Sequence, residues 1–209
     1  MKPGILSPER VEQSYGQQKL TLVDRFGVYL SRRAILRWLP AREGLRVLDV
    51  GCGYHATLLR ALLPHLASGT GIDLQIADHV RKIPNLSFEE APVEDALAAL
   101  PRWCFDLVLL ISVLEHLSDP LQVLQDCLER LRPGGVLLVN VPTWTGKTFL
   151  EFSAFKLGLS PALEIDDHKM YYGKRDLWPL LVKAGFRPSR ISLRYHKFGL
   201  NLFAVARAA

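Results

Sequence analysis

The chain has 209 residues, 26 Lys and Arg against 21 Asp and Glu, 49% apolar residues and three cysteines. That length suits one α/β domain with a small cap and can bury a sizeable core, and 22% charged residues exclude a disordered chain. Cys52, Cys104 and Cys127 are odd in number and widely spread, so they supply neither a disulfide framework nor a CxxC metal pattern and fit a reducing cytoplasm.

Met1 to Gly16 hold no apolar run of signal-peptide length. Ser7-Pro8-Glu9-Arg10 reads as a helix start, with the serine as N-cap and the proline in the first helical position. A second helix is expected over about Leu20 to Leu39, with Val23, Phe26 and Leu30 on one face, Leu36 and Leu39 continuing it, and Pro40 and Gly44 ending it. Arg32, Arg33 and Arg37 are the densest basic cluster of a chain with net charge +5. They fit the wet side of that helix, so the charge reads as a solvated face and argues against a nucleic-acid interface. Residues 1–44 form an N-terminal helical cap in this reading, and 45–209 form the main domain.

From Arg46 the pattern becomes short apolar runs alternating with helices. Arg46 to Val50 reads as a buried strand, followed by Gly51-Cys52-Gly53 and a helix at about Thr57 to Leu66. Gly69 to Asp73 and Leu86 to Glu90 are the next strands, and Phe105 to Ile111, nearly all apolar, suits a strand covered on both faces. The longest apolar stretch, Leu107 to Leu114 with Ser112 inside it, is far short of a membrane span. Asp119-Pro120 caps a helix bearing Leu121, Leu124, Leu128 and Leu131, with Gln122 at the capping-box position. Pro133-Gly134-Gly135 turns the chain into Val136 to Val141. Lys174 to Ala184 looks helical despite Pro179, and Ile191 to Tyr195 pairs with Leu200 to Ala206 as an antiparallel hairpin around Gly199. The sum is a mostly parallel sheet with one reversed strand and helices on both faces.

In such a sheet a ligand binds beyond the carboxyl ends of the strands, near the topological switch point. Gly51-x-Gly53-x-x-Ala56, with Asp73 twenty residues past Gly53, would pass as a dinucleotide fingerprint. Asp49 discriminates. It stands two positions before the first glycine, where its carboxylate repels a diphosphate and attracts a ligand carrying an ammonium and a sulfonium. At an effective dielectric near 20, charges about 4 Å apart differ by several kcal/mol between the two cases.

These segments resemble the class I S-adenosylmethionine-dependent methyltransferases, particularly the branch of small-molecule O-methyltransferases that includes those of ubiquinone biosynthesis. The resemblance runs from about Leu45 to Arg207 and rests on Val47-Leu-Asp-Val-Gly-Cys-Gly53, Gly71-Ile-Asp73, Phe105-Asp-Leu-Val108 leading to Leu114-Glu-His-Leu117, and Leu131-Arg-Pro-Gly-Gly135. It implies a Rossmann-like fold with a seven-stranded sheet, whose one antiparallel strand comes from the C-terminal hairpin. It further implies that Gly51, Cys52 and Gly53 let backbone approach the methionyl part of S-adenosylmethionine, with Asp49 near its ammonium. Asp73 would accept the ribose hydroxyls, and Leu74 would touch the adenine. Pro92 and Val93, in the Ala91-to-Glu94 loop, would border the adenine edge, while Ile111 and Ser112 would line the transferring methyl. Two departures stand out: His55 replaces the usual third glycine, and Pro92 an acid often found beside the adenine amine.

Methyl transfer from a sulfonium needs nucleophile, methyl and sulfur held collinear. For a hydroxyl acceptor, His116 is the candidate general base, by position and because a neutral imidazole accepts a proton; its bland alternative is a liner of the cofactor pocket. Some relatives with a similar Glu-His pair carry a metal-binding glutamate where Ser112 stands here, and His168 with Asp166 and Asp167 reads as a solvated cluster, so no metal is expected. Residues 143–172 read as a lid insertion over the acceptor, rich in aromatic residues such as Trp144, Phe149, Phe152 and Phe155. Tyr15, Trp144, His168 and Tyr172 are the candidate acceptor contacts. The expected function is transfer of a methyl group to an oxygen of a small molecule, a saccharide or a lipid-linked intermediate, by a monomer or homodimer with at most peripheral membrane contact. The rivals are a nicotinamide-dependent oxidoreductase and a non-catalytic cofactor-binding relative.

Overall fold

A computed structural model describes residues 15–16, 21–41, 43–147 and 169–209. Its centre is a seven-stranded sheet of β1 (Leu45–Val50), β2 (Leu66–Asp73), β3 (Leu86–Glu90), β4 (Phe105–Ile111), β5 (Leu131–Pro142), β6 (Ile191–His196) and β7 (Asn201–Arg207), in the order β3-β2-β1-β4-β5-β7-β6. β7 runs antiparallel to both β5 and β6, and the other pairings are parallel. The chain winds outward from β1 to β3 and returns to β4, so the switch point lies between the carboxyl ends of β1 and β4.

Helices α1 (Leu22–Arg37), α2 (Thr57–Ala61) and α3 (Asp78–Arg81) cover one face, and α4 (Val93–Ala99), α5 (Pro120–Arg130) and α6 (Lys174–Lys183) the other. Strand alternation sorts the core between them. Val47, Leu107, Leu109, Val136 and Leu138 pack with Ile35, Leu59 and Val80, whereas Leu48, Val108, Leu110, Leu137 and Val139 pack with Leu97, Val123, Leu124 and Leu181. Burying each such side chain contributes roughly 1.5–3 kcal/mol.

Local chemistry explains most boundaries. Thr21 and Asp24 form a reciprocal capping box at the start of α1. Asp119 accepts a 3.0 Å hydrogen bond from the Gln122 amide at the start of α5, with Pro120 in the first turn. The Arg130 guanidinium, itself buried, donates to the Leu97 and Ala98 carbonyls and closes the C-terminus of α4. Asp106, buried at the amino end of β4, accepts from the Arg46 amide at 2.8 Å and pairs with Arg132, tying β1 and β5 to the central strand.

Four readings of the elements need correction. The predicted apolar face of α1 is largely turned outward: Val23, Phe26 and Leu36 are exposed, Leu30 is half-buried and Leu39, past the helix end, packs on the core, while the buried residues are Ser31 and Ile35. The inward stripe Gly27-Ser31-Ile35 keeps i, i+4 spacing but is small near its start, which admits the side chain of Lys197. Helix α2 stops at Ala61, and a 3-10 turn with Pro64 inside it replaces the predicted second half. Helices α3 and α4, too short to show periodicity, went unpredicted. Strand β5 begins at Leu131, so Pro133-Gly134-Gly135 lies within an irregular start of the strand. Helix α6 continues through Pro179, held by buried Leu177 and Leu181 on either side. The helix expected from Ser7 lies outside the described residues.

Candidate active site

The loop after β1 is shaped by two glycines with positive φ, Gly51 at 72° and Gly53 at 75°. A methyl group on Gly51 would run into Val113, and one on Gly53 would stand 3.0 Å from the Tyr15 carbonyl oxygen. The amides of Gly51 and Cys52 both donate to the Ile72 carbonyl, pinning the loop to the end of β2. Asp73, the last residue of β2, accepts the Gly53 amide on one carboxylate oxygen at 2.6 Å and the Leu74 amide on the other at 2.8 Å. Asp73 therefore holds the loop in place.

Asp49 is 1% exposed, and its Oδ2 has no hydrogen-bond partner among the described residues. Burial pushes its carboxyl up to about 7, the charge of Asp73 adds to the rise, and the Leu59 backbone amide works against it. A buried polar atom left unpaired costs about 1–3 kcal/mol. Burial likewise pushes the Cys52 thiol far up, with Asp49 and Asp73 adding to it, so Cys52 is an inert packing group against Gly71. His55, in the place of a third glycine, turns its ring to Tyr54 and His79, with centroids 5.0 and 5.2 Å away.

The other predicted contacts gather at the same edge of the sheet. The Ala91 amide donates to the Asp73 carbonyl, which brings Pro92 and Val93, at the start of α4, beside Leu74. β4 ends at Ile111, and Ser112 follows with φ of 58°, a strained value for a residue with a Cβ. A 3-10 turn, Leu114–His116, then carries His116, which is half-buried. Tyr15 accepts the Tyr54 amide on its carbonyl at 2.8 Å and so lies across the glycine loop. Trp144 is exposed, with its ring 5.7 Å from that of Tyr171.

One candidate must be corrected. Tyr172 is buried in the core on the α5–α6 side, and its hydroxyl donates to the Leu114 carbonyl at 3.3 Å, so it anchors the segment after β4 and is not presented to an acceptor. His168, with most of the expected lid, lies outside the described residues.

Sequence reasoning missed the tip of the β6–β7 hairpin. Lys197, Phe198 and Gly199 all have positive φ, and the tip is fastened by the Thr143 hydroxyl donating to the Gly199 carbonyl at 2.8 Å. Lys197 Nζ reaches back to within 3.6 Å of where a Gly27 side chain would begin. Burial lowers its ammonium to about 8, while the charges of Glu115 and Asp24 oppose the fall. No local pattern marks this residue, because its partners come from α1 and the segment after β4.

Comparison with known proteins agrees with this geometry. The family model described as methyltransferase domain matches residues 23–190. The ubiquinone biosynthesis O-methyltransferase of Psychrobacter arcticus is 32% identical over 168 residues, covering 73% of this chain and 63% of that protein. The enzyme of the same name from Cereibacter sphaeroides is 34% identical over 160 residues, covering 70% and 62%. This chain thus spans less than two thirds of the length of those relatives. Among solved structures, an S-adenosylmethionine-dependent methyltransferase from Archaeoglobus fulgidus superposes with a TM-score of 0.65 at 15% identity, covering 88% of this chain and 94% of that one. One from Mesorhizobium loti gives 0.59 at 17% identity, covering 85% and 95%. The chain belongs to the methyltransferase-domain family, within the class I S-adenosylmethionine-dependent methyltransferases.

The residues present fit that cofactor. A buried carboxylate with one oxygen unpartnered among the described residues, a loop turned by two glycines of positive φ, and a second carboxylate that orders that loop stand together at the switch point.

Proposed function

We propose that this chain transfers a methyl group from S-adenosylmethionine to an oxygen of a small molecule. The observation that carries the reading is the buried Asp49 carboxylate beside the Gly51–Gly53 loop, one of whose oxygens has no hydrogen-bond partner among the described residues. A diphosphate there would meet a second anion, which disfavours the nicotinamide alternative. An oxygen acceptor is supported by relatives named as O-methyltransferases.

When bound, S-adenosylmethionine supplies a methyl carbon on a positively charged sulfur, which an oxygen displaces in line to leave S-adenosylhomocysteine. In this reading Asp49 faces the cofactor's ammonium, and the backbone of Gly51, Cys52 and Gly53 takes its methionyl end. Asp73 accepts the ribose hydroxyls, while Leu74, Pro92 and Val93 border the adenine. Ile111 and Ser112 stand beside the transferring methyl, and Tyr15 lies over the loop from outside. His116 takes the acceptor's hydroxyl proton as the new bond forms. Trp144 stands at the acceptor's entrance, and residues 143–172 act as the lid. The N-terminal cap of residues 1–44 and a cytoplasmic setting belong to the same proposal. Among the described residues no helix is long and apolar enough to cross a membrane.

Calorimetry tests the reading: both S-adenosylmethionine and S-adenosylhomocysteine should bind, and failure of both would end it. For the base, His116→Ala should lower S-adenosylhomocysteine release about 10²–10⁴-fold with cofactor affinity changed less than threefold. Unchanged turnover would leave His116 as a liner.

A further inference from the structure

Asn140 is the one residue of β5 whose side chain the fold leaves without employment. It is 0% exposed, and neither its amide oxygen nor its amide nitrogen has a hydrogen-bond partner among the described residues. It follows Leu138 by two residues, so it faces the α1–α3 side of the sheet, the side that Asp49 also faces two residues after Val47. Its cross-strand neighbours are Ile111 on β4 and Phe203 on β7. The Ser112 amide donates to its carbonyl at 2.8 Å, so the side chain stands one strand away from the end of β4.

A second observation points the same way. Beyond Phe203, on β6, His196 has a buried Nε2 that is also without a partner, and its ring meets Phe203 edge-on with centroids 5.7 Å apart. Burial, then the charge of Lys197, pushes the His196 imidazole down to about 4, so it is neutral at neutral pH. Polar atoms buried without partners are rare in proteins, and two residues that carry them on either side of one aromatic ring mark a place built to receive polar groups.

We propose that Asn140 is a specificity-determining residue for the methyl acceptor. Its amide hydrogen-bonds the acceptor's hydroxyl and holds that oxygen on the Ile111–Ser112 side of the sheet, with His196 as a more distant polar anchor across Phe203. An amide both donates and accepts, as a neutral hydroxyl does, whereas a carboxylate only accepts, so the acceptor group matched to it is a neutral hydroxyl. This rests on the methyltransferase reading above and adds the residue that reads the acceptor.

Two variants, Asn140→Val and Asn140→Ala, test it in protein saturated with S-adenosylhomocysteine. The probe is phenol, the smallest hydroxyl on a ring, with benzoate as the anionic contrast. Phenol should move the side-chain amide signals of Asn140 in nitrogen–proton spectra, assigned by their loss in the variants, and benzoate should not. Phenol should bind Asn140→Val at least tenfold more weakly, S-adenosylhomocysteine affinity should change less than threefold, and neither variant should melt more than a few degrees below wild type. The proposal is overturned if both variants melt far below wild type, since Asn140 would then be structural. It is equally overturned if phenol leaves the amide signals unmoved, or binds the variants as it binds wild type. A wild-type protein that binds no S-adenosylhomocysteine would instead overturn the methyltransferase reading itself.

Discussion

Asp49→Asn should make the ligand-free protein harder to melt at pH 8 while weakening S-adenosylhomocysteine binding at least tenfold. The two effects have one cause. Asp49 is held in a site that disfavours its charge, with its carboxyl raised from 3.8 to about 7, chiefly by burial and secondly by Asp73. Below 3.8 the group is protonated in both folded and unfolded chains and contributes nothing. As pH rises from 3.8 to about 7, the folded chain retains a proton that the unfolded chain has lost, so stability falls. Above about 7 the whole penalty is in force, roughly 4 kcal/mol by linkage. Asp49→Asn removes the charge and hence the penalty, and the gain in melting temperature should grow between pH 5 and pH 8. A gain that does not vary with pH would contradict this account.

The same linkage acts on binding. A cationic ammonium prefers the ionised carboxylate, so below about 7 the ligand must displace a proton. Wild-type affinity for S-adenosylhomocysteine should therefore rise up to tenfold per pH unit below that value and level off above it, while Asp49→Asn should lack this rise. Titration calorimetry from pH 5.5 to 8.5 reads both. A site that is costly to the free protein and useful to the complex is the familiar exchange of stability for function.

Asp73→Ala should be the more damaging substitution for the cofactor. The carboxylate has two jobs, because it holds the Gly53 and Leu74 amides and, in the proposed complex, the ribose hydroxyls. Hydrogen bonds to a charged group contribute about 1.5–3 kcal/mol each, so loss of two to the ligand implies roughly a 10²–10⁴-fold weaker complex. Removing the pin on Gly53 also frees the loop. Asp73→Asn separates the roles, since its single carbonyl oxygen can still accept the Gly53 amide. The asparagine variant should bind between wild type and Asp73→Ala. Equal affinity of Asp73→Ala and wild type would show that the ribose is held elsewhere.

The legible parts of this protein are those whose physics is local. β1 and β4 show as apolar runs because a strand buried on both faces can carry little else, and the hairpin shows because Gly199 separates two strand-like segments. Asp49, Gly51, Gly53 and Asp73 were legible because a tight backbone turn and a strand-end carboxylate leave signatures at short spacing. The inward face of α1 was not. Phe26 looks like a core residue, yet it stacks on Tyr29 outside, while Gly27, Ser31 and Ile35 lie beneath. Tyr172 was misread for the same reason: whether a tyrosine meets a ligand or a main-chain carbonyl depends on which strand end it lands beside.

Sequence by itself determined the succession of the strands and of the longer helices along the chain, the glycine loop and the acids around it, since periodicity, turn chemistry and charge sign act between near neighbours. Only the tertiary structure decided that Lys197 reaches α1, that Asn140 and His196 carry polar atoms without partners among the described residues on either side of Phe203, and that Asp49 is costly to ionise. Those properties are set by desolvation and by contacts between strands far apart in the chain, and neither is written in the residues adjacent to them.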